Sequence, residues 1–183
     1  MAVTAIIATS GRRKDAIALV TRNLLDYDFI DEIMVVKSDV GPHQRWEAAK
    51  RAKNSTIYVQ DDDCIIGNIM DIYNAYDKKH VTLGMERDRW PIYENQRSKM
   101  VGWGAFFEKS WVKRMDPYIK MFGKDDIYKR ESDRIFTYYN PTKMILAHVH
   151  NFPTALDSEA MCLQEEHEWT KAEAIRRCEV AGG

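Results

Sequence analysis

Three consecutive aspartates, Asp61-Asp62-Asp63, follow the apolar run TIYVQ at residues 56–60. Adjacent carboxylates repel one another and raise one another's pKa, and a divalent cation relieves this. Side chains alternate along an extended chain, so Asp61 and Asp63 share a face and Asp62 points away. Such an Asp-x-Asp pair offers hard oxygen ligands to Mg²⁺ or Mn²⁺ and leaves positions for phosphate oxygens. The competing reading is a solvated acidic turn. The strand directly before the triplet favours the metal, because ligands of parallel α/β sheets sit beyond the carboxyl ends of the strands.

Other chemistry-bearing residues should meet the same edge. Thr9-Ser10-Gly11-Arg12-Arg13 follows a first apolar run and opens a helix. Hydroxyls, backbone N–H groups and guanidinium groups there suit an anionic nucleotide, and a plain N-cap with solvent-facing arginines is the competing reading. Lys37-Ser38-Asp39 ends a second run, where an acid could accept a hydrogen bond from a base or ribose. His148 and His150 close a late apolar run, share a face at i and i+2, and could complete a metal's coordination sphere. Glu131 and Asp133 lie in the first turns of a predicted helix. Either favours the helix dipole or serves as a general base or a carboxylate facing a reacting sugar.

The elements that must position these groups alternate. Residues 3–8 predict a buried strand, 12–25 a helix, 32–37 a strand, 44–53 a helix, 56–60 a strand, 66–76 a helix and 81–85 a strand. Strand–helix alternation implies a mostly parallel sheet with helices on both faces, an α/β fold of Rossmann-like type. Residues 86–99 are polar, carry Arg87, Arg89 and Arg97 and read as a long loop or lid. Residues 100–107 read as a glycine-punctuated strand or turn, 110–115 as helix, 116–126 as loop, 127–139 as helix and 142–150 as one strand. The tail from 157 onward reads as helix, with Met161, Trp169 and Ile175 as an apolar stripe that packs on the sheet or pairs two copies.

The 183 residues make one domain, with a nucleotide-binding half over about 1–85, an acceptor half over about 86–156 and a helical tail over 157–183. Twenty-seven basic and 28 acidic residues leave a net charge of −1, which argues against binding to nucleic acid by bulk charge. The 3 cysteines, without a C-x-x-C pair, argue against a disulfide framework or a zinc ribbon and for a reducing cytoplasm. Apolar residues 2–8 precede Arg12, Arg13 and Lys14, the reverse of a signal peptide. No run approaches the ~20 apolar residues of a membrane span.

Taken together, the motifs resemble a nucleotide-sugar glycosyltransferase of the GT-A fold, akin to exostosin-like and family-two-like transferases. The strand–Thr9-Ser10–Arg pattern begins the match. Gly41-Pro42-His43-Gln44-Arg45-Trp46 resembles the family stretch Gly-x-x-x-Ala-Arg-Asn, and YVQDDDCII resembles the family's Asp-x-Asp metal motif. Gly102-Trp103-Gly104-Ala105-Phe106-Phe107 is similar to a Gly-Ala-Ala-Phe segment, and Glu131-Ser132-Asp133-Arg134-Ile135-Phe136 to Cys-Glu-Asp-Ile-Ala-Met. The order holds over about residues 3–150, with two departures: Glu47 follows Arg45-Trp46, and Ser132 stands where the family has Glu.

The resemblance implies roles. Asp63 with Asp61 would hold Mn²⁺ or Mg²⁺ on a diphosphate, with His148 or His150 as a late ligand. Asp61 or Asp62 would also reach the ribose. Thr9, Ser10, Arg13 and Asp39 would hold the nucleotide, with Arg45 near it. Gly104 and Ala105 would line the sugar, and Asp133, or else Glu131, would be the acid beneath it. The implied partners are a nucleotide-sugar donor, with UDP favoured, and a hydroxyl acceptor: a glycan, protein, small molecule or modified DNA. A DNA acceptor would use the basic residues of 109–134 with Trp103 and Trp111 nearby. Two further alternatives are a sugar-1-phosphate nucleotidyltransferase and a non-catalytic binding module. The first usually wants a richer glycine loop than Gly11 alone supplies.

Overall fold

A computed structural model describes residues 1–37, 40–153 and 166–182. Eight strands run β1 Val3–Thr9, β2 Ile30–Lys37, β3 Thr56–Asp61, β4 Cys64–Ile66, β5 Val81–Met85, β6 Ala105–Glu108, β7 Thr142–Leu146 and β8 Val149–Asn151. The helices are α1 Lys14–Leu25, α2 Gln44–Arg51, α3 Ile69–Ala75, α4 Trp90–Tyr93, α5 Asp116–Phe122, α6 Asp126–Tyr139 and α7 His167–Gly182, with a 3-10 helix at Lys109–Met115. The main sheet has six strands in the order β2-β1-β3-β6-β5-β7. Only β6 runs against its neighbours: β1 is parallel to β2 and β3, β5 is parallel to β7, and β6 is antiparallel to both β3 and β5. The fold is thus α/β with a mostly parallel, mixed sheet.

Alternation within the strands divides the core in two. Ile6, Ile57, Val59, Leu83 and Phe107 face α2, α5, α6 and the 3-10 helix. Val3, Ala5, Ile7, Tyr58 and Phe106 face α1 and α3. A strand covered on both faces reads as a continuous apolar run, and all seven residues of β1 are buried. On the first face Trp46 is fully buried and stacks on Phe136 with ring centroids 4.1 Å apart, which ties α2 to α6.

Several expected elements differ. The strand expected over 142–150 is two: β7 ends at Leu146, and after Ala147 and His148 the chain joins β4 in a separate two-stranded antiparallel sheet. Period cannot distinguish one strand from two when apolar residues continue through the break. Residues 116–126 hold helix α5 rather than a loop, because Pro117 sits in its first turn, where a missing N–H costs nothing. Gly123 ends that helix with φ +73°. Residues 86–99 hold α4, and their far end is anchored. The Lys99 N–H donates to Thr137 Oγ1 at 2.7 Å, and Arg97 lies 4.0 Å over the Tyr138 ring. In α7 the buried stripe is Thr170, Ala174 and Cys178, whereas Trp169 is exposed. Met161 lies outside the described residues. No helix is long and apolar enough to cross a membrane among the residues described.

Candidate functional site: an acid rim at the carboxyl edge of the sheet

β1 and β3 lie side by side, so their carboxyl ends bring Thr9 against the aspartate triplet. Thr9 Oγ1 donates to Asp62 Oδ2 at 2.5 Å and accepts the Gly11 N–H at 2.8 Å. Arg13 Nη1 reaches Asp62 Oδ1 at 3.0 Å and stands 3.9 Å from Asp63 Oδ2. Thr9 therefore organises the turn after β1 rather than capping α1, which starts at Lys14 without a side-chain cap. Asp62 is buried in this pocket. Its two oxygens take the Thr9 hydroxyl and the Arg13 guanidinium, so neither is left for a ribose. The alternation expected through the triplet stops short of it, because β3 ends at Asp61 and Asp62-Asp63 form the turn into β4. Ser10 lies in the same turn, where its Oγ accepts from Arg12 Nε at 3.1 Å.

Arg45 enters from α2. It is buried, its Nη2 donates to Asp61 Oδ1, and its Nη1 lies 3.3 Å from Asp133 Oδ2. Two packing features bring α2 and α6 together at this point. One is the Trp46–Phe136 stack. The other is Gly41, with φ +67°, where a Cβ would stand 2.3 Å from the Lys129 carbonyl oxygen, so only glycine lets the chain pass so close to α6. Arg45 is thus a clamp between two acids, not a group facing solvent.

The charges follow from this burial. Burial and the charge of Asp61, opposed by Arg13, push the Asp63 carboxyl up to about 7. Burial pushes Asp133 up to about 6, with Arg45 opposing and Asp61 and Glu131 adding to the rise. Burial would lower the Arg45 pKa, but Asp133 and Asp61 outweigh it and hold the group above its ordinary value.

The other expected residues take several positions. Glu131 is buried toward α7. Its Oε1 accepts from Thr170 Oγ1 at 2.6 Å, and Arg134 Nε stands 3.3 Å from its Oε2. Helix α6 is kinked at Glu131 (φ −112°, ψ 18°), which parts it from Asp133 and leaves Asp133 as the acid on Arg45. Ala105 is buried in β6 between Val59 and Leu83, and Gly104 packs under the Tyr58 hydroxyl. Both are buried. His148 and His150 are exposed, one between β7 and β8 and the other within β8 beside Ile65. Asp39 lies outside the described residues. Trp111 is buried beneath Arg114, 4.8 Å from its ring centroid, and presents no face for a base to stack on.

Two residues at this edge carry no role in the sequence reading. Glu86 follows β5 as Asp61 ends β3, and its Oε1 accepts from the Asn151 amide at 3.3 Å. The position after an apolar strand was the signal available for it. Gly102 lies against Asp61: the Asp61 N–H donates to the Gly102 carbonyl at 2.9 Å.

No group of three or more His, Cys, Asp or Glu side chains gathers to hold a metal by itself among the described residues. Mg²⁺ sites, however, commonly use one or two carboxylates, with substrate phosphates and water supplying the rest. Asp61 and Asp63 fit that kind of site: both are partly open to solvent, and burial together with the charge of Asp61 disfavours the ionised Asp63, which positive charge would relieve. No protein-family model matches the chain, and no curated protein matches it significantly.

Proposed function

We propose that the protein is a metal-dependent glycosyltransferase of GT-A-like fold, moving a sugar from a nucleotide-sugar donor, UDP-sugar favoured, to a hydroxyl acceptor. The observation that carries the reading is the pairing across one rim. Asp61 ends β3 at the carboxyl edge of a mostly parallel sheet, Asp63 stands in the turn that follows, and Arg45 joins Asp61 to Asp133. That edge is where α/β sheets of this kind bind ligands.

Asp61 and Asp63 would hold Mn²⁺ or Mg²⁺. The ion would offset charge building on the diphosphate as the bond to the sugar breaks. Arg13, anchored on Asp62, stands beside Asp63 and adds fixed positive charge on the same side. Asp133, raised to about 6, accepts the acceptor's proton if the reaction inverts the sugar. If the reaction retains configuration, the same carboxylate steadies the oxocarbenium-like centre. Arg45 keeps Asp133 oriented in either case.

Calorimetric titration of UDP into the purified protein tests this, with Mn²⁺ and then with EDTA, on wild type and Asp63→Ala. The expected result is binding that needs the metal and is lost in the variant. Absence of binding to UDP, GDP or any other nucleoside diphosphate, with every metal tried, would overturn the reading and return the triplet to an acidic turn.

A further inference from the structure

We propose that Gly102 is a positioning residue for Asp61: the space left by its missing side chain is where the Asp61 carboxylate sits while Arg45 holds the other oxygen. A Cβ built on Gly102 would stand 2.0 Å from Asp61 Oδ2, 2.7 Å from its Cγ and 3.3 Å from its Oδ1. These are its three nearest atoms, and all belong to one carboxylate.

The backbone gives no other reason for glycine at this position. Gly11, Gly41, Gly104 and Gly123 have positive φ, and Gly102 does not. An alanine would adopt the Gly102 conformation without backbone strain. What it would lack is room.

The two backbones cannot part cheaply, so it is the carboxylate that must move. The Asp61 N–H to Gly102 carbonyl bond at 2.9 Å fixes the two backbones against each other. Asp61 is the last residue of β3, paired with Ala8 of β1. On its far side the carboxylate meets Arg45, which is buried and held by Asp133. A methyl group at 102 therefore turns the Asp61 carboxylate out of its place between Gly102 and Arg45. That moves one of the two carboxylates proposed to hold the metal. The packing claim stands on geometry alone, and its consequence for metal binding rests on the glycosyltransferase reading.

The test is a cycle of wild type, Gly102→Ala, Asp61→Ala and the double variant, with Gly182→Ala as a control. At Gly182 the nearest side-chain atom to a Cβ is 3.4 Å away, an ordinary contact. Two quantities are read: the urea midpoint in EDTA, and Mn²⁺ affinity by electron paramagnetic resonance with UDP present. Gly102→Ala lowers the urea midpoint when residue 61 is Asp and not when it is Ala, because the clashing group is then gone. It weakens Mn²⁺ binding about 10–100-fold in the Asp61 background, the range for losing an orienting partner, and leaves the residual affinity of Asp61→Ala unchanged. An equal loss of stability in both backgrounds overturns the inference, as does wild-type Mn²⁺ affinity in Gly102→Ala. If Gly102→Ala does not fold, recovery of folding in the double variant supports the inference and failure of both overturns it. If the wild type binds neither Mn²⁺ nor UDP, the glycosyltransferase reading fails, and the urea cycle, which needs no ligand, still decides the role of Gly102.

Discussion

Replacing Arg45 with Met keeps the bulk of the side chain and removes the charge that two acids share. Breaking a buried ion pair on one side costs about 3–5 kcal/mol, because the remaining charge stays buried. In this protein the burden falls unevenly. The Asp61 side chain is 32% exposed and can recruit water, whereas that of Asp133 is 13% exposed and cannot do so as readily. For a domain of this size each kcal/mol moves Tm by about 2–4 °C, so Arg45→Met should lose ~6–20 °C at pH 8.

The loss should depend on pH in a defined direction. Asp133 is pushed up to about 6 in the folded chain, from ~3.9 when unfolded. A raised acid contributes stability below its unfolded pKa and loses that contribution as pH rises through its folded pKa. Without Arg45 the folded pKa of Asp133 rises further. The gap between Arg45→Met and wild type is therefore widest at pH 8 and narrows toward pH 5, where Asp133 takes up a proton in both. Adding Asp133→Asn to Arg45→Met should recover part of the loss at pH 8. Arg45→Lys should recover little, since a single ammonium cannot reach two carboxylates in the geometry of a guanidinium. Urea and thermal unfolding in EDTA at the two pH values measure all of this. A loss under about 1 kcal/mol at pH 8, or a larger loss at pH 5, would refute the clamp.

Three further outcomes are expected. Asp63→Asn removes a charge that burial first, and Asp61 next, make costly, so its Tm in EDTA should exceed that of wild type at pH 8, and Mn²⁺ should no longer raise it; a variant less stable than wild type in EDTA would contradict that cost. Thr9→Val leaves buried Asp62 without the 2.5 Å hydroxyl bond and should cost about 1–3 kcal/mol by urea denaturation, whereas no measurable change would show that Arg13 alone satisfies Asp62. Burial first, then Lys171 and Arg134, hold the His167 pKa down against Glu131 and Glu168. The unfolded chain thus binds the extra proton first, and stability is lost as pH falls below ~6.5. Asp63 and Asp133 act in the opposite sense over the same window, so His167→Gln should gain Tm relative to wild type as pH falls from 7 to 5, and an unchanged difference between the two would rule His167 out as a source of acid sensitivity.

Much of this architecture is legible without coordinates. β1, β3 and β5 announce themselves as short apolar runs, because strands covered on both faces need apolar side chains at every position. The aspartate triplet is legible for the same reason: an abrupt change from apolar to acidic marks where a buried strand emerges. Alternation, by contrast, stops at Asp61, because Asp62 and Asp63 lie in the turn that leads to β4. β6 is different, since its residues predict burial but not direction, and only pairing with β3 and β5 makes it antiparallel. The break between β7 and β8 also escapes the pattern, because both pieces are apolar enough to read as one.

Residue type and local spacing therefore determine which groups can do chemistry and which strand ends carry them. Tertiary structure alone decides which of them meet. The resemblance puts Arg45 near a nucleotide, and the packing of α2 on α6 through Gly41 and the Trp46–Phe136 stack buries it between Asp61 and Asp133. Glu131 and Asp133 look interchangeable in sequence, yet a kink in α6 turns one to Thr170 and the other to Arg45. Gly102 looks like a turn residue, and only its place beside Asp61, 41 positions earlier, shows that its missing side chain makes room for a carboxylate. Local pattern is written in the covalent chain, whereas such contacts depend on how separate segments pack, and sterics act only once they are in place.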